Sequence, residues 1–221
     1  MANSPLFEAY FKGRYRILIT ERDADLVESV VSNLNHGIRR IEELFNTNVE
    51  ILFINVFICP SRSIFDQFVK VITAVPTDPG RIGQPQGHDL YILSPKNYRS
   101  DAPYYGRDEP PYYDTGDFRR ILVHELVHLW EELSSPRDAM DLGDAWFSEG
   151  MAMYVSEWYR EPREKRRLEE DYARRIIPRP EELTGERNYT WGCVLFEFLL
   201  REVGAKRLLD MVSETNHKNI F

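Results

Sequence analysis

The segment His124-Glu125-Leu126-Val127-His128 carries the chemistry most plainly visible in this sequence. Residues four apart share one face of a helix, so both imidazoles can reach a single ion. Neutral imidazole is a natural zinc ligand at about 2.0–2.1 Å. Glu125 falls between the two histidines in angle, where its carboxylate can take a proton from a water activated by the metal. That is the mechanical sense of H-E-x-x-H, and at this chain's own His and Glu frequencies the pattern arises by chance in roughly 1% of such sequences. The alternative is a pair of helical histidines that cap the helix or pair with carboxylates. Leu122, Leu126, Leu129 and Leu133 count against it, because they give the helix a buried face and leave the histidines on a second, inward-looking side.

A catalytic zinc keeps three protein ligands and one open position, so a third ligand is expected from another element. Glu149, within Trp146-Phe147-Ser148-Glu149-Gly150-Met151-Ala152, lies 21 residues after His128, far enough for the chain to turn and return antiparallel. Ser134, Ser135, Pro136 and Gly143 mark the turn, and Gly150 is expected to let the backbone approach the metal helix closely. The alternative for Glu149 is a carboxylate favoured near a helix N-terminus by the helix dipole. Together the residues imply one Zn2+ per chain, with His124, His128 and Glu149 as ligands and Glu125 as general base.

The elements that must position these residues follow from periodicity. Tyr15 to Thr20 reads as a strand, and Asp23 or Asp25 can cap a helix to Phe45, with Leu26, Val30, Leu34, Ile38, Ile41 and Leu44 at helical spacing. Val49 to Cys59 is a β-branched and aromatic run expected to form a buried central strand. Ser61 or Ser63 can cap a second helix, turns or a hairpin occupy Pro76 to Gly87, and Asp89 to Ser94 is another strand. Residues 95 to 116 form a long loop with tyrosines at 98, 104, 105, 112 and 113, expected to pack on something. Helices follow over Asp117–Leu133, Ala145–Arg160, Pro162–Arg175, Tyr189–Glu202 and Ala205–Ser213. The expected class is α+β: a single domain over residues 1–221, with an N-terminal α/β lobe over about 1–133 and a helical lobe over about 134–221.

HELVH followed by WFSEGMAMY resembles the gluzincin peptidases, the group with thermolysin and the large zinc aminopeptidases, in which an N-E-G or S-E-G element donates the third ligand. The order YRILIT, VEILFINVFI, DLYILS, HELVH is similar to the compact peptidase MA-like proteins, where a small sheet and helices precede the zinc helix. The resemblance implies a zincin-like fold, zinc-dependent hydrolysis of peptide bonds, and a peptide or protein substrate. Tyr189-Thr190-Trp191-Gly192 is similar to the Y-x-x-G element of zinc aminopeptidases, which implies that Tyr189 donates to the oxyanion; the alternative is a tyrosine packing on Phe196 or Trp191. The strand from Leu90 to Ser94 resembles the edge strand that binds extended substrate, which implies Leu90, Tyr91 and Ile92 as substrate-binding positions; the alternative is an internal strand. Two departures stand out. No G-x-M-E-N element occurs near Gly80 to Asp89, and Met153 stands where a thermolysin-type aspartate would orient a zinc histidine. Asp144 and Glu157 are the nearest carboxylates that could take over that task.

A net charge of -8, from 36 acidic and 28 basic residues that interleave through Arg160–Arg175, argues against a groove for nucleic acid. Cys59 and Cys193 show no CxxC spacing and imply no disulfide framework. The first residues lack the apolar core of a secretory signal and no window approaches a membrane span, so a cytoplasmic protein without membrane contact is expected. No residue pattern specifies an oligomeric state. The rival to hydrolysis is a zinc-binding protein that is non-proteolytic, its site closed by a fourth ligand such as His88, or an enzyme kept latent beneath the tyrosine-rich loop.

Overall fold

Two glycine-led hairpins bound a five-stranded mixed sheet in the computed structural model, which describes residues 6–74, 77, 80–98, 116–134 and 145–213. Gly13 (φ 60°) opens the two-residue loop between β1 (Glu8–Lys12) and β2 (Tyr15–Ile19). Gly87 (φ 58°) does the same between β4 (Gly83–Gln86) and β5 (Asp89–Leu93). A positive φ at the first loop position suits the twist of a tight hairpin and favours glycine there. β3 (Ile54–Cys59) pairs in parallel with β2 and with β5, giving the order β1-β2-β3-β5-β4. The α+β class expected from the sequence is observed, with a helical part following the sheet.

The chain divides into two units, Met1–His36 with Glu50–Leu129 and Gly37–Val49 with Trp130–Phe221. In the first, the register places Ile17, Ile19, Ile54, Val56, Ile58, Leu90 and Ile92 on one face of the sheet, all fully buried. Helix α1 (Val27–Phe45) is tied to that face where Tyr15 donates its hydroxyl to Asn35 Oδ1 at 2.7 Å. Helix α3 (Asp117–Ser134) meets the same face at Gly83. The opposite face carries Phe57 and Tyr91, stacked with centroids 4.7 Å apart, and Phe68 of α2 (Arg62–Thr73) packs on both. Ser61 caps α2 by accepting from the Ile64 N–H, one of the two candidates expected. Asp23, expected as a helix cap, is instead fully buried and accepts from Ser94 Oγ at 2.8 Å, anchoring the end of β5.

In the second unit, α4 (Ala145–Val155) buries residues all round its circumference, including Trp146, Phe147, Met151 and Met153. Such a helix is the centre of its unit rather than a surface element. It packs on α6 (Glu186–Ser213) through Phe147–Phe196 and Tyr154–Phe196 ring contacts at 5.7 and 5.5 Å. Helix α5 (Pro162–Ala173), with Pro162 in its first turn, is joined to α6 where Trp191 Nε1 donates to Asp171 Oδ2 at 2.8 Å.

Several boundaries differ from expectation. β1 was not expected; it is exposed along both faces and so lacks an apolar alternation. The third strand starts at Ile54, not Val49, because β2 supplies partners only from Tyr15 onward and the Val49 N–H goes to Glu42 Oε1. Helix α4 stops at Val155 rather than Arg160, because Glu157 takes a left-handed conformation (φ 62°) and a 3-10 turn follows over Trp158–Arg160. Gly204 (φ 81°) breaks α6 where a new helix was expected. The loop expected over 95–116 begins as a 3-10 turn, Pro95–Asn97, followed by a buried Tyr98; residues 99–115, with the other four tyrosines, lie outside the described residues. The turn residues Ser135, Pro136 and Gly143 and the candidate Asp144 also lie outside them. Cys59 and Cys193 are both free and buried, and burial pushes both thiols well above their ordinary range. Among the described residues no helix is long and apolar enough to cross a membrane.

Candidate metal centre

Helix α3 is apolar on almost every side: Ile121, Leu122, Val123, Leu126, Val127 and Leu129 are buried. His124 and His128 thus emerge from a helix that is held from several directions, His124 itself being only 5% exposed. Their Nε2 atoms lie 3.1 Å apart, with the rings nearly perpendicular at 78°. Two nitrogens bound to one tetrahedral ion at about 2.05 Å would lie roughly 3.3 Å apart, so the pair already has the separation that a shared ion needs. Glu149 completes the group: one ligand atom from each of His124, His128 and Glu149 lies within 4.8 Å of the others. Two imidazoles and a carboxylate are the donor set of an open catalytic zinc site. Among the described residues no fourth metal-ligating side chain joins them.

The tripeptide Ser148-Glu149-Gly150 is fixed from both sides. Ser148 Oγ donates to Glu131 Oε2 at 2.5 Å, and that carboxylate is only 1% exposed. A side chain added at Gly150 would fall on the carbonyl of Gly192, and one added at Gly192 would fall on the carbonyl of Trp146. Gly150 therefore serves the approach of α4 to α6, not the approach to the metal helix expected from sequence. Gly192 was read only as part of an oxyanion element, and its sequence signal was the matching glycine in a helix of otherwise large residues.

Glu125 lies against the sheet. A Cβ at Gly83 would lie far inside van der Waals contact with Glu125 Cγ and Oε1, so any other residue at position 83 would push the general-base candidate aside. Buried Arg62 secures this strand by donating to the Arg81 carbonyl at 2.5 Å. Neither Gly83 nor Arg62 carries a motif. Gly83 fell in a Gly- and Pro-rich segment expected to be turns, so only its place in a strand, where a glycine marks close approach of another group, points to it.

Of the two readings open for Leu90, Tyr91 and Ile92, edge strand or internal strand, the internal one is observed, and the edge reading is corrected. They belong to β5, which pairs with β3 on one side and β4 on the other, so its backbone has no open edge. Tyr91 is used in packing: its hydroxyl donates to Asp89 at 3.1 Å, and burial together with the Asp89 charge pushes it well above its ordinary pKa. Gly83-Gln84-Pro85-Gln86, expected as part of a turn region, forms the edge instead. Leu93 donates to the Ile82 carbonyl at 2.8 Å, so bonded pairs alternate at 82/93, 84/91 and 86/89. Gly83 and Pro85 consequently direct their backbone polar groups away from β5, and Pro85 gives up no ladder bond.

No protein-family model matches the chain, and no curated protein is significantly similar to it. The site is read from its own residues alone.

The remaining candidates are placed as follows. Tyr189 is 38% exposed in the first turn of α6, one turn before Gly192. Glu157, considered as an orienting carboxylate, instead accepts from Arg160 at 2.7 Å. Met153, in the place of the thermolysin-type aspartate, is buried. His88 is exposed in the β4–β5 turn, its Nδ1 3.1 Å from the Phe53 carbonyl, and is not part of the metal-ligating group. Replacing Glu149 by Ala is expected to weaken zinc binding by more than the roughly 10–100-fold typical of losing an outer partner. Replacing His88 by Ala is expected to leave affinity unchanged. Competition against a chromophoric chelator measures both; zinc affinity unaltered in the Glu149 variant would remove it from the ligand set.

Proposed function

We propose that the protein is a zinc-dependent peptidase acting on an extended peptide or protein segment. The observation that carries this reading is the three-ligand group His124, His128 and Glu149 together with a carboxylate, Glu125, held against an open sheet edge at Gly83. A structural zinc is normally enclosed by four protein ligands and needs no base beside it.

A Zn2+ held by His124, His128 and Glu149 supplies Lewis-acid polarisation of the scissile carbonyl and a lowered pKa for the attacking water. Glu125 takes the water's proton on its carboxylate and delivers it to the nitrogen of the leaving amine. Tyr189, one turn from the point where α6 abuts the residue after Glu149, donates its hydroxyl to the oxyanion that forms on the substrate carbon. The substrate backbone pairs with β4. That edge offers the N–H and C=O of Gly83 but only the C=O of Pro85, so pairing is strong beside Glu125 and weak one residue pair further on. A short extended segment, rather than a long added strand, fits those three groups.

The deciding experiment is metal analysis together with cleavage of a quenched peptide library, run on the wild type and Glu125→Gln in parallel. One zinc per chain in both, with cleavage in the wild type alone, is the expected result. One zinc with no cleavage in either would favour a non-proteolytic or latent zinc-binding protein. Tyr189→Phe is expected to lower kcat by roughly 10²-fold with little change in KM; an unchanged rate would return Tyr189 to packing. Gly83→Ala, whose methyl displaces the Glu125 carboxylate, is expected to lower kcat by roughly 10²-fold while zinc content stays at one per chain. Full activity in that variant would show that Glu125 does not work from the position it holds here.

A further inference from the structure

We infer that Glu131 is a positioning residue for the third metal ligand, acting through the hydroxyl of Ser148. This rests on the zinc reading above. At 100° per residue, positions 124, 128 and 131 lie within an arc of roughly 60°, so Glu131 shares the face of α3 that presents the two imidazoles. It is 1% exposed, among neighbours such as Leu129 and Trp130 that are also buried. A carboxylate in such a place is costly unless it is bonded, and an apolar side chain would serve packing alone. Its Oε2 accepts from Ser148 Oγ at 2.5 Å, and Ser148 is the residue immediately before Glu149.

On the other side of Glu149, Gly150 is seated against the Gly192 carbonyl. The ligand is thus the middle residue of three, with its predecessor held by α3 and its successor held by α6. The helix that supplies both histidines also fixes the start of the turn that supplies the carboxylate. Neither candidate from the sequence, Asp144 or Glu157, gives such a link among the described residues: Asp144 lies outside them, and Glu157 is bonded to Arg160. Glu131 does, and it does so through the backbone of the ligand rather than through a histidine ring. A carboxylate at this position is therefore a device for metal affinity, acting through its bond to Ser148.

The test is the zinc dissociation constant of the full chain, measured by chelator competition for the wild type and for Glu131→Gln, Glu131→Ala, Ser148→Ala and the Glu131→Ala/Ser148→Ala double variant. Gln can still accept from the serine, so Glu131→Gln is expected to stay within about threefold of the wild type, whereas Glu131→Ala and Ser148→Ala each lose roughly 10–100-fold. The double variant is expected to be no weaker than either single one, because both remove the same bond. Ser148→Ala deletes only a hydroxyl and keeps the inference testable if Glu131→Ala does not fold. Wild-type affinity in Ser148→Ala, or a loss in Glu131→Gln equal to that in Glu131→Ala, overturns the inference. Glu149→Ala in the same series separates the two levels: zinc lost there but kept in the Ser148 variant defeats this inference alone, and no zinc in the wild type defeats the metal reading itself.

Discussion

Where α4 passes α6, the two backbones come so close that neither Gly150 nor Gly192 has room for a side chain. Much of the second unit follows from that contact. It goes with α4 being buried on all sides, through Trp146, Phe147, Met151 and Met153 among others, and it limits how α4 can shift along α6. Packed interiors accommodate little displacement, so the residue preceding Gly150 inherits the same precision. That residue is Glu149. A ligand carried on a loop would reach a metal only at the entropic cost of ordering it; here backbone packing has already fixed its position.

In the first unit the corresponding constraint is at Gly83. The sheet face that buries Ile17, Val56, Ile58 and Ile92 receives α3, and the space beside Gly83 is filled by the Glu125 carboxylate. The side chain proposed as the base thus lies where the strand opposite it carries no side chain. The same strand is the open edge of the sheet, kept short by Gly87 on one end and interrupted as a pairing surface by Pro85. A long free edge invites association with other chains; a four-residue edge with a proline in it does so much less.

The parts of the fold that were legible in the sequence are those whose information is local. The helical spacing of His124 and His128, the apolar periodicity of α1, the Ser61 cap and the break at Gly204 are each set by residues near one another along the chain. Glu149 was legible because a second short motif accompanies the first. What escaped depends on distant partners. Edge and internal strand could not be told apart for β5 because Gly83–Gln86, with its glycine and proline, has the composition of a turn, and only pairing with Asp89–Leu93 makes it a strand. β1 escaped because both its faces meet solvent. Val49 and Ile51 are buried as their type demands, yet are outside the strand, because burial and ladder pairing are separate requirements. Glu131 escaped for a different reason: a charged residue beside another, Glu132, near the end of a helix is ordinarily solvated, and only its burial and its bond to Ser148 in the fold show that this one is not.

The claim on which the account rests is that His124, His128 and Glu149 hold one zinc. X-ray absorption at the zinc edge of the purified protein tests it most directly. The account predicts stoichiometric zinc with two imidazole nitrogens and oxygen donors at about 2.0–2.2 Å and no sulfur. A sulfur shell at about 2.3 Å would instead implicate Cys59 or Cys193, and, like the absence of stoichiometric zinc, would contradict the account.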